Sequence, residues 1–133
     1  MSNLPLALLV EDSPTQAIEI TAALKQSGFD VIMATDGLSA LDMVYEHQPV
    51  LVVLDVQLPK MNGYQVCHRL KRNPQTASIP VIMMTIADSS EATLAGLEAG
   101  ADDYIAKDVF AAENLITTLN SFKMRMDGRH AKE

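Results

Sequence analysis

Three acidic side chains, placed at the ends of two apolar runs, carry the clearest chemical signal in this sequence. Glu11 and Asp12 directly follow the apolar residues 6–10, and Asp55 directly follows the apolar residues 50–54. If both runs are neighbouring strands, the three carboxylates meet at one edge of a sheet. Carboxylates held close together raise one another's pKa, so such a cluster is stabilised by a cation. Because a hard divalent ion suits oxygen ligands, we predict a Mg²⁺ site at Glu11, Asp12 and Asp55.

Two further polar residues follow apolar runs in the same way. Thr85 follows residues 81–84, and Lys107 follows the weaker run 104–106. Each residue alone has an ordinary explanation, such as a satisfied strand hydroxyl for Thr85 or a surface charge for Lys107. Their shared position at strand ends instead predicts one rim that holds groups for a cation, a phosphoryl group and a nucleophile.

The elements that would position this rim alternate between strands and helices. Five short, nearly unbroken apolar runs are typical of parallel strands covered on both faces. They are residues 6–10, 31–34, 50–54, 81–84 and 104–106. The βαβαβαβαβα order predicts an α/β fold, a five-stranded doubly wound parallel sheet with helices on both faces.

Start and stop signals delimit five helices between and after these strands. The first begins at Asp12 or Ser13, with Pro14 in its first turn, and ends at Gly28. The second lies between Gly37 and Pro49, and the third begins at Asn62. The fourth runs from Ser89 or Ser90 to Gly100. The fifth has an inward stripe of Leu115, Leu119 and Phe122.

Length, composition and charge indicate a single acidic globular domain. The chain has 133 residues, of which 48% are hydrophobic, and its formal net charge is −7. No apolar run approaches the roughly 20 residues that span a bilayer, so we expect no membrane partner and a cytoplasmic location. The single cysteine, Cys67, is expected to be a buried structural thiol. The acidic body predicts that the chain binds no nucleic acid directly.

Four blocks of the sequence, in the same order, resemble the receiver domain of two-component response regulators, the CheY-like family. They are Leu9-Val10-Glu11-Asp12 and residues 54–63, 80–85 and 100–107, of which the Asp-x-x-Leu-Pro-x-Met-Asn-Gly motif at 55–63 is the most specific. The resemblance covers residues 6–122 and implies a flavodoxin-like sheet with the strand order 2-1-3-4-5. It leaves residues 123–133 as a short basic C-terminal tail or linker stub.

The resemblance implies a phosphorylation site at Asp55. This residue would accept a phosphoryl group from a phosphohistidine on a histidine kinase or a phosphotransfer protein. Asp12, Asp55 and the backbone carbonyl of Gln57 would ligate Mg²⁺, and Glu11 would hold a metal-bound water. Lys107 would pair with the phosphoryl oxygens. The chain would catalyse only its own phosphorylation and dephosphorylation, so we do not expect an enzyme that acts on another substrate.

The resemblance also implies a switch formed by Thr85 and Tyr104. The Thr85 hydroxyl would turn to bond a phosphoryl oxygen, and Tyr104 would swing into the vacated space. The surface of the fourth predicted helix, the fifth strand and the fifth predicted helix would then change. A downstream protein target would bind that surface, and a homodimer is a further partner expected there.

Two residues depart from the usual pattern of the family. Asp108 follows Lys107, where the family usually has proline, often after a cis peptide bond. A cis bond before another residue costs about 3–4 kcal/mol, so this loop is expected to be strained or built differently. Ile86 follows Thr85, where the family often has alanine or glycine, and its bulk predicts a slower loss of the phosphoryl group.

Three other classes of protein share parts of this pattern. A haloacid-dehalogenase-like phosphatase also uses an aspartyl nucleophile, but neither residues 11–13 nor residues 55–57 supply its Asp-x-Asp pattern. A flavodoxin-like FMN carrier needs a small-residue phosphate loop after the first strand, where Glu11 and Asp12 would repel phosphate. A receiver-like interaction module that is never phosphorylated stays open as the alternative.

Overall fold

A single parallel sheet with helices on both faces forms the protein in a computed structural model, which describes residues 4–86 and 98–131, with side chains up to residue 121. Along the chain the elements are β1 (Leu6–Val10), α1 (Pro14–Gln26), β2 (Asp30–Ala34), α2 (Gly37–His47), β3 (Leu51–Asp55), α3 (Gly63–Arg72), β4 (Val81–Thr85), β5 (Asp103–Ala106) and the C-terminal helix α4 (Ala111–Ala131). The strand order is β2-β1-β3-β4-β5. The predicted fold class and strand order are therefore confirmed.

The hydrophobic core is divided by the sheet into two clusters, because successive side chains of a strand point to opposite faces. On one face, Leu8, Leu54 and Met83 pack with residues of α2 and α3. On the other face, Leu9 and Val53 pack with residues of α1 and α4. The three central strands are covered on both sides, which explains why their sequences lack the alternation of a half-exposed strand.

The prediction of full burial is wrong for β2. This strand lies at an edge of the sheet, and its Met33 side chain is 45% exposed. An apolar run gives the composition of a strand, whereas its exposure depends on which neighbours cover it. Helices α1 and α2 leave part of this edge strand open.

The N-cap residues of three helices lie where the chain, having left the sheet, enters each helix. Ser13 occupies the N-cap position of α1 with Pro14 next to it, but makes no side-chain cap hydrogen bond. The cap predicted at Asn62 is confirmed, since its side chain accepts from the Gln65 backbone N–H at 3.0 Å. Asp36 caps α2 by accepting from the backbone N–H of Ser39 at 2.8 Å.

Two predicted helices meet the limits of the described residues. The predicted start of the fourth helix, at Ser89 or Ser90, lies outside them, although residues 98–99 are helical and Gly100 has a φ of 93°. The fifth predicted helix is the C-terminal helix α4. It continues to Ala131, so the segment predicted as a tail begins as helix. The domain boundary at residue 122 stays a prediction. Within the described part of the chain, no helix has the length and apolar character needed to cross a membrane.

Candidate functional site

The three predicted carboxylates meet at the carboxyl edge of the sheet. Strands β1 and β3 are parallel neighbours, with Val10 opposite Leu54, so the residues that follow these two positions lie side by side. Glu11, Asp12 and Asp55 each place one carboxylate oxygen within 4.8 Å of the others. Glu11 and Asp55 are buried, whereas Asp12 is exposed. The cluster therefore has two buried members and one that faces solvent.

Lys107 contacts two of these carboxylates from the end of β5, two strands away from β3. Its Nζ lies 2.8 Å from Asp55 Oδ2 and 3.0 Å from Glu11 Oε1. The Lys107 backbone N–H donates to the Thr85 carbonyl at 2.9 Å, which continues the pairing of β4 and β5 up to the lysine. The ammonium is almost entirely removed from water, so it acts as an internal counter-charge for the acids.

The electrostatics of the site reflect both burial and pairing. Burial raises the pKa of Glu11, and a hydrogen bond shared with Asp55 raises it further, against the lowering effect of Lys107. Burial alone would lower the pKa of Lys107, but its hydrogen bonds to Asp55 and Glu11 outweigh burial and raise that pKa. The site therefore favours a protonated lysine and holds excess negative charge that is only partly compensated.

The donor set fits a divalent cation. Three carboxylates supply hard oxygen ligands, and the exposure of Asp12 leaves one side of the cluster open to water. Gln57 follows Asp55 closely in the loop, and its backbone N–H donates to Asp55 Oδ1 at 3.1 Å. This bond fixes the start of the loop beside the carboxylate, as a ligand from the Gln57 backbone would require.

The two residues predicted as a switch lie on the neighbouring strands β4 and β5. Thr85 is buried as the last residue of β4, in register with Ala106 of β5. Tyr104 is half-buried in the edge strand β5 and packs against the core cluster on the α2 and α3 face. Thr85 therefore lies at the rim, whereas Tyr104 lies opposite Met83, two residues before the end of β4, and their switching stays a prediction.

The loop after Lys107 is built differently from a proline loop. The described residues contain no cis peptide bond, so the Lys107–Asp108 bond is trans. Asp108 Oδ1 accepts from the Phe110 backbone N–H at 2.8 Å, and the Asp108 carbonyl accepts from Ala111 N–H at 3.1 Å. Sequence reasoning missed this Asx turn, although aspartate is a residue that forms such turns.

Comparison with known proteins identifies the family. Residues 7–120 match the family model described as the response regulator receiver domain. The chain belongs to the response regulator receiver family. The predicted CheY-like, two-component identity of this receiver domain is therefore confirmed.

Curated relatives show the receiver domain within longer proteins. The chain is 35% identical over 124 residues to RpaA of Synechocystis, named a DNA-binding dual master transcriptional regulator, covering 93% of this chain and 51% of RpaA. It is 39% identical over 119 residues to the probable transcriptional regulatory protein TcrX of Mycobacterium tuberculosis, covering 89% of this chain and 49% of TcrX. The chain therefore spans about half the length of these relatives.

These relatives overturn the prediction that the chain has no direct nucleic-acid partner. RpaA is named as DNA-binding and is similar to nearly all of this chain. The acidic charge of a receiver segment describes that segment alone, and it carries no information about the other half of a longer protein. Net charge therefore does not exclude nucleic acid here, and the prediction is wrong.

Solved structures share the fold and, in one case, hold a metal. The receiver domain of Francisella response regulator 1452 has a TM-score of 0.81 and 30% identity, covering 92% of this chain and 98% of that one. The Mn²⁺-bound form of response regulator Rcp1 has a TM-score of 0.74 and 28% identity, covering 90% of this chain and 91% of that one. A divalent ion in the latter accords with the acidic cluster of this receiver domain.

Proposed function

We propose that Asp55 accepts a phosphoryl group from a phosphohistidine of a histidine kinase or phosphotransfer protein, and that Mg²⁺ is required. The observation that carries this proposal is the contact of one buried lysine with Asp55 and Glu11, beside a third carboxylate. Such a site combines a nucleophile, a place for a cation and a fixed positive charge. Phosphoryl transfer depends mainly on that positioning and charge neutralisation.

The transfer itself exchanges one bond to phosphorus for another. An oxygen of the Asp55 carboxylate attacks the phosphorus atom, and the bond between phosphorus and the histidine nitrogen breaks, with its electron pair leaving on the imidazole. The Lys107 ammonium then lies beside the new acyl phosphate and offsets its charge. Before transfer, the same ammonium keeps Asp55 and Glu11 together, because it bonds both.

Asp12, Asp55 and the backbone carbonyl of Gln57 would hold Mg²⁺, with Glu11 binding one of its waters. The cation would supply neutralisation of the phosphoryl oxygens during transfer. Support comes from the oxygen-only donor set and from its partial exposure, which suits an ion that dehydrates reluctantly. The Mn²⁺-bound neighbour adds support from a related chain.

The signal would pass through Thr85 and Tyr104 to a partner protein. The Thr85 side chain is buried at the end of β4, next to the strand that carries Asp55, so a hydroxyl bond to the phosphoryl group needs little movement of the backbone. Tyr104 is only half-buried, so an inward position would remove more of its ring from water. The surface read by the partner would include β5 and α4 of a receiver that spans residues 6–122, followed by the short basic tail 123–133.

Intact mass after incubation with acetyl phosphate and Mg²⁺ tests the proposal. We expect one phosphoryl adduct on the wild type, none on Asp55→Asn and none when the metal is chelated. Asp42→Asn is the matched control, because Asp42 is an exposed aspartate on α2 away from the sheet edge. A wild-type chain that binds Mg²⁺ and forms no adduct would instead support the unphosphorylated interaction module.

A further inference from the structure

The loop between β3 and α3 contains the backbone carbonyl proposed as a metal ligand, and its own bonds constrain its shape. The Met61 backbone N–H donates to the Pro59 carbonyl, and the Gly63 N–H donates to the Val56 carbonyl, both at 2.8 Å. Lys60 adopts a left-handed φ of 69°, a conformation that costs a non-glycine residue free energy. A loop that contains this unfavourable conformation is stabilised by contacts with neighbouring elements.

One such contact comes from the start of α2, which lies beside the loop. A Cβ atom placed on Gly37 would lie 2.2 Å from the Met61 carbonyl oxygen and 2.7 Å from Met61 Cβ. The Gly37 N–H also donates to the Pro59 carbonyl at 3.4 Å. The two backbones can approach this closely only because residue 37 has no side chain.

A side chain at position 37 would displace the loop rather than the helix. Helix α2 is anchored by Ala40, Leu41 and Val44, which are buried in the core. The loop has weaker anchorage, since Pro59 and Lys60 are exposed, and Leu58 and Met61 are only partly buried where they pack against the core. Because well-packed interiors resist movement, the exposed segment is the part that gives way.

We propose that Gly37 is a positioning residue for the metal site. By letting α2 contact the loop directly, Gly37 holds the loop in the shape in which the Gln57 carbonyl would help to hold the cation beside Asp55. This inference rests on the proposed function, because it concerns the same Mg²⁺ site. It assigns a role in that site to a residue of α2 that touches neither the cation nor the phosphoryl group.

The test compares Mg²⁺ binding with stability in the absence of a phosphodonor. Isothermal titration with Mg²⁺ should show binding about tenfold weaker for Gly37→Ala than for wild type, the low end of the loss caused by removing support from metal ligands. Gly28→Ala is the control for destabilisation alone. Gly28 has a φ of 94° and precedes β2, so it lies at the amino ends of the parallel strands, whereas the carboxylates lie at the carboxyl ends. Gly28→Ala should therefore lose stability and keep its Mg²⁺ affinity.

A second variant keeps the inference testable if Gly37→Ala fails to fold. Lys60→Gly removes the cost of the left-handed conformation, frees the loop and breaks the exposed ion pair of Lys60 with Asp36 at 3.7 Å. We expect weaker Mg²⁺ binding with little net change in stability. Unchanged Mg²⁺ affinity in a folded Gly37→Ala, or in Lys60→Gly, would overturn the inference. If the wild type is phosphorylated with Mg²⁺ in those cases, the proposed function stands. A wild type that binds no Mg²⁺ would overturn both.

Discussion

Replacing Lys107 with methionine removes the counter-charge of the site while keeping a side chain of similar length. Lys107 Nζ is 2.8 Å from Asp55 Oδ2 and 3.0 Å from Glu11 Oε1, and the three side chains are 9%, 3% and 2% exposed. The variant leaves two neighbouring buried carboxylates without the ammonium. We therefore expect Lys107→Met to be less stable than wild type when Mg²⁺ is absent.

The size of this loss follows from the two contacts. At about 3 Å and an effective dielectric constant near 20, each contact corresponds to roughly 5 kcal/mol of Coulomb energy. Dehydration of the buried ammonium offsets much of this, and breaking a buried pair costs about 3–5 kcal/mol in practice. Protonation of Glu11, whose pKa is already raised by burial, limits the charge that stays uncompensated. We therefore expect a loss of about 3 kcal/mol at neutral pH.

Added Mg²⁺ should reduce that loss, because the cation replaces the missing positive charge. A ligand at one hundred times its dissociation constant adds about 2.7 kcal/mol of stability. Lys107→Met should bind Mg²⁺ more tightly than wild type, so it should gain more stability at the same Mg²⁺ concentration. Urea unfolding of both proteins with and without Mg²⁺ measures the effect. The difference in free energy of unfolding between wild type and Lys107→Met should narrow as Mg²⁺ rises.

Lys71→Met is the matched control for this experiment. Lys71 Nζ is 2.7 Å from Asp102 Oδ2 and 2.7 Å from the Ile79 carbonyl, so it is also a paired lysine. Lys71 lies outside the acidic cluster, so the loss of stability in Lys71→Met should be independent of Mg²⁺. A difference between wild type and Lys107→Met that is the same at all Mg²⁺ concentrations would refute the shared-charge reasoning.

Substitutions at three other positions test individual parts of the site and its supports. Ile86→Ala should lose its phosphoryl group faster than wild type, because the exposed isoleucine next to Thr85 restricts access to the phosphoryl group; equal or longer lifetimes in the variant would contradict this. Asp108→Ala should be phosphorylated more slowly than Asp108→Asn, which keeps the acceptor for the Phe110 N–H, and equal initial rates would show that the turn does not aim Lys107. The Ser39 backbone N–H lowers the pKa of Asp36, so Asp36→Asn should be less stable than wild type at neutral pH. That difference should be complete above the ordinary aspartate pKa of about 4 and should be lost progressively in acid unfolding curves as the pH falls from there through the lowered pKa of the folded state.

The strands and their order could be predicted because the pattern of this sequence is strong. Unbroken apolar runs marked the strands, although β2 is only partly covered, and the motif at residues 55–63 indicated the family, which carries the strand order. The boundary of β3 was less predictable. Asp55 belongs to the strand, because the Val56 backbone N–H donates to the Met84 carbonyl at 3.0 Å and extends the pairing past the last apolar residue. Backbone hydrogen bonds do not depend on side-chain polarity, so composition cannot place such an end.

The residues of the candidate site could be predicted from strand ends, but their contacts could not. Glu11, Asp55 and Lys107 were each expected at the rim. The contact of one ammonium with two carboxylates depends on the pairing of β1, β3, β4 and β5 in three dimensions. The close approach of Gly37 to the Met61 backbone joins residues 24 positions apart, and no local pattern reports it. Net charge gave a wrong prediction for the nucleic-acid partner, because this chain corresponds to only about half the length of the relatives.

The most direct test of the central claim locates the phosphoryl group on the chain. Wild-type protein would be incubated with a phosphorylated histidine phosphotransfer protein and Mg²⁺, reduced with borohydride to convert the acyl phosphate to an alcohol, and digested for peptide mass spectrometry. We predict that Asp55 alone is converted to homoserine, and only when Mg²⁺ is present. Conversion at another carboxylate, or no conversion while the donor loses its phosphoryl group to water, would contradict the account.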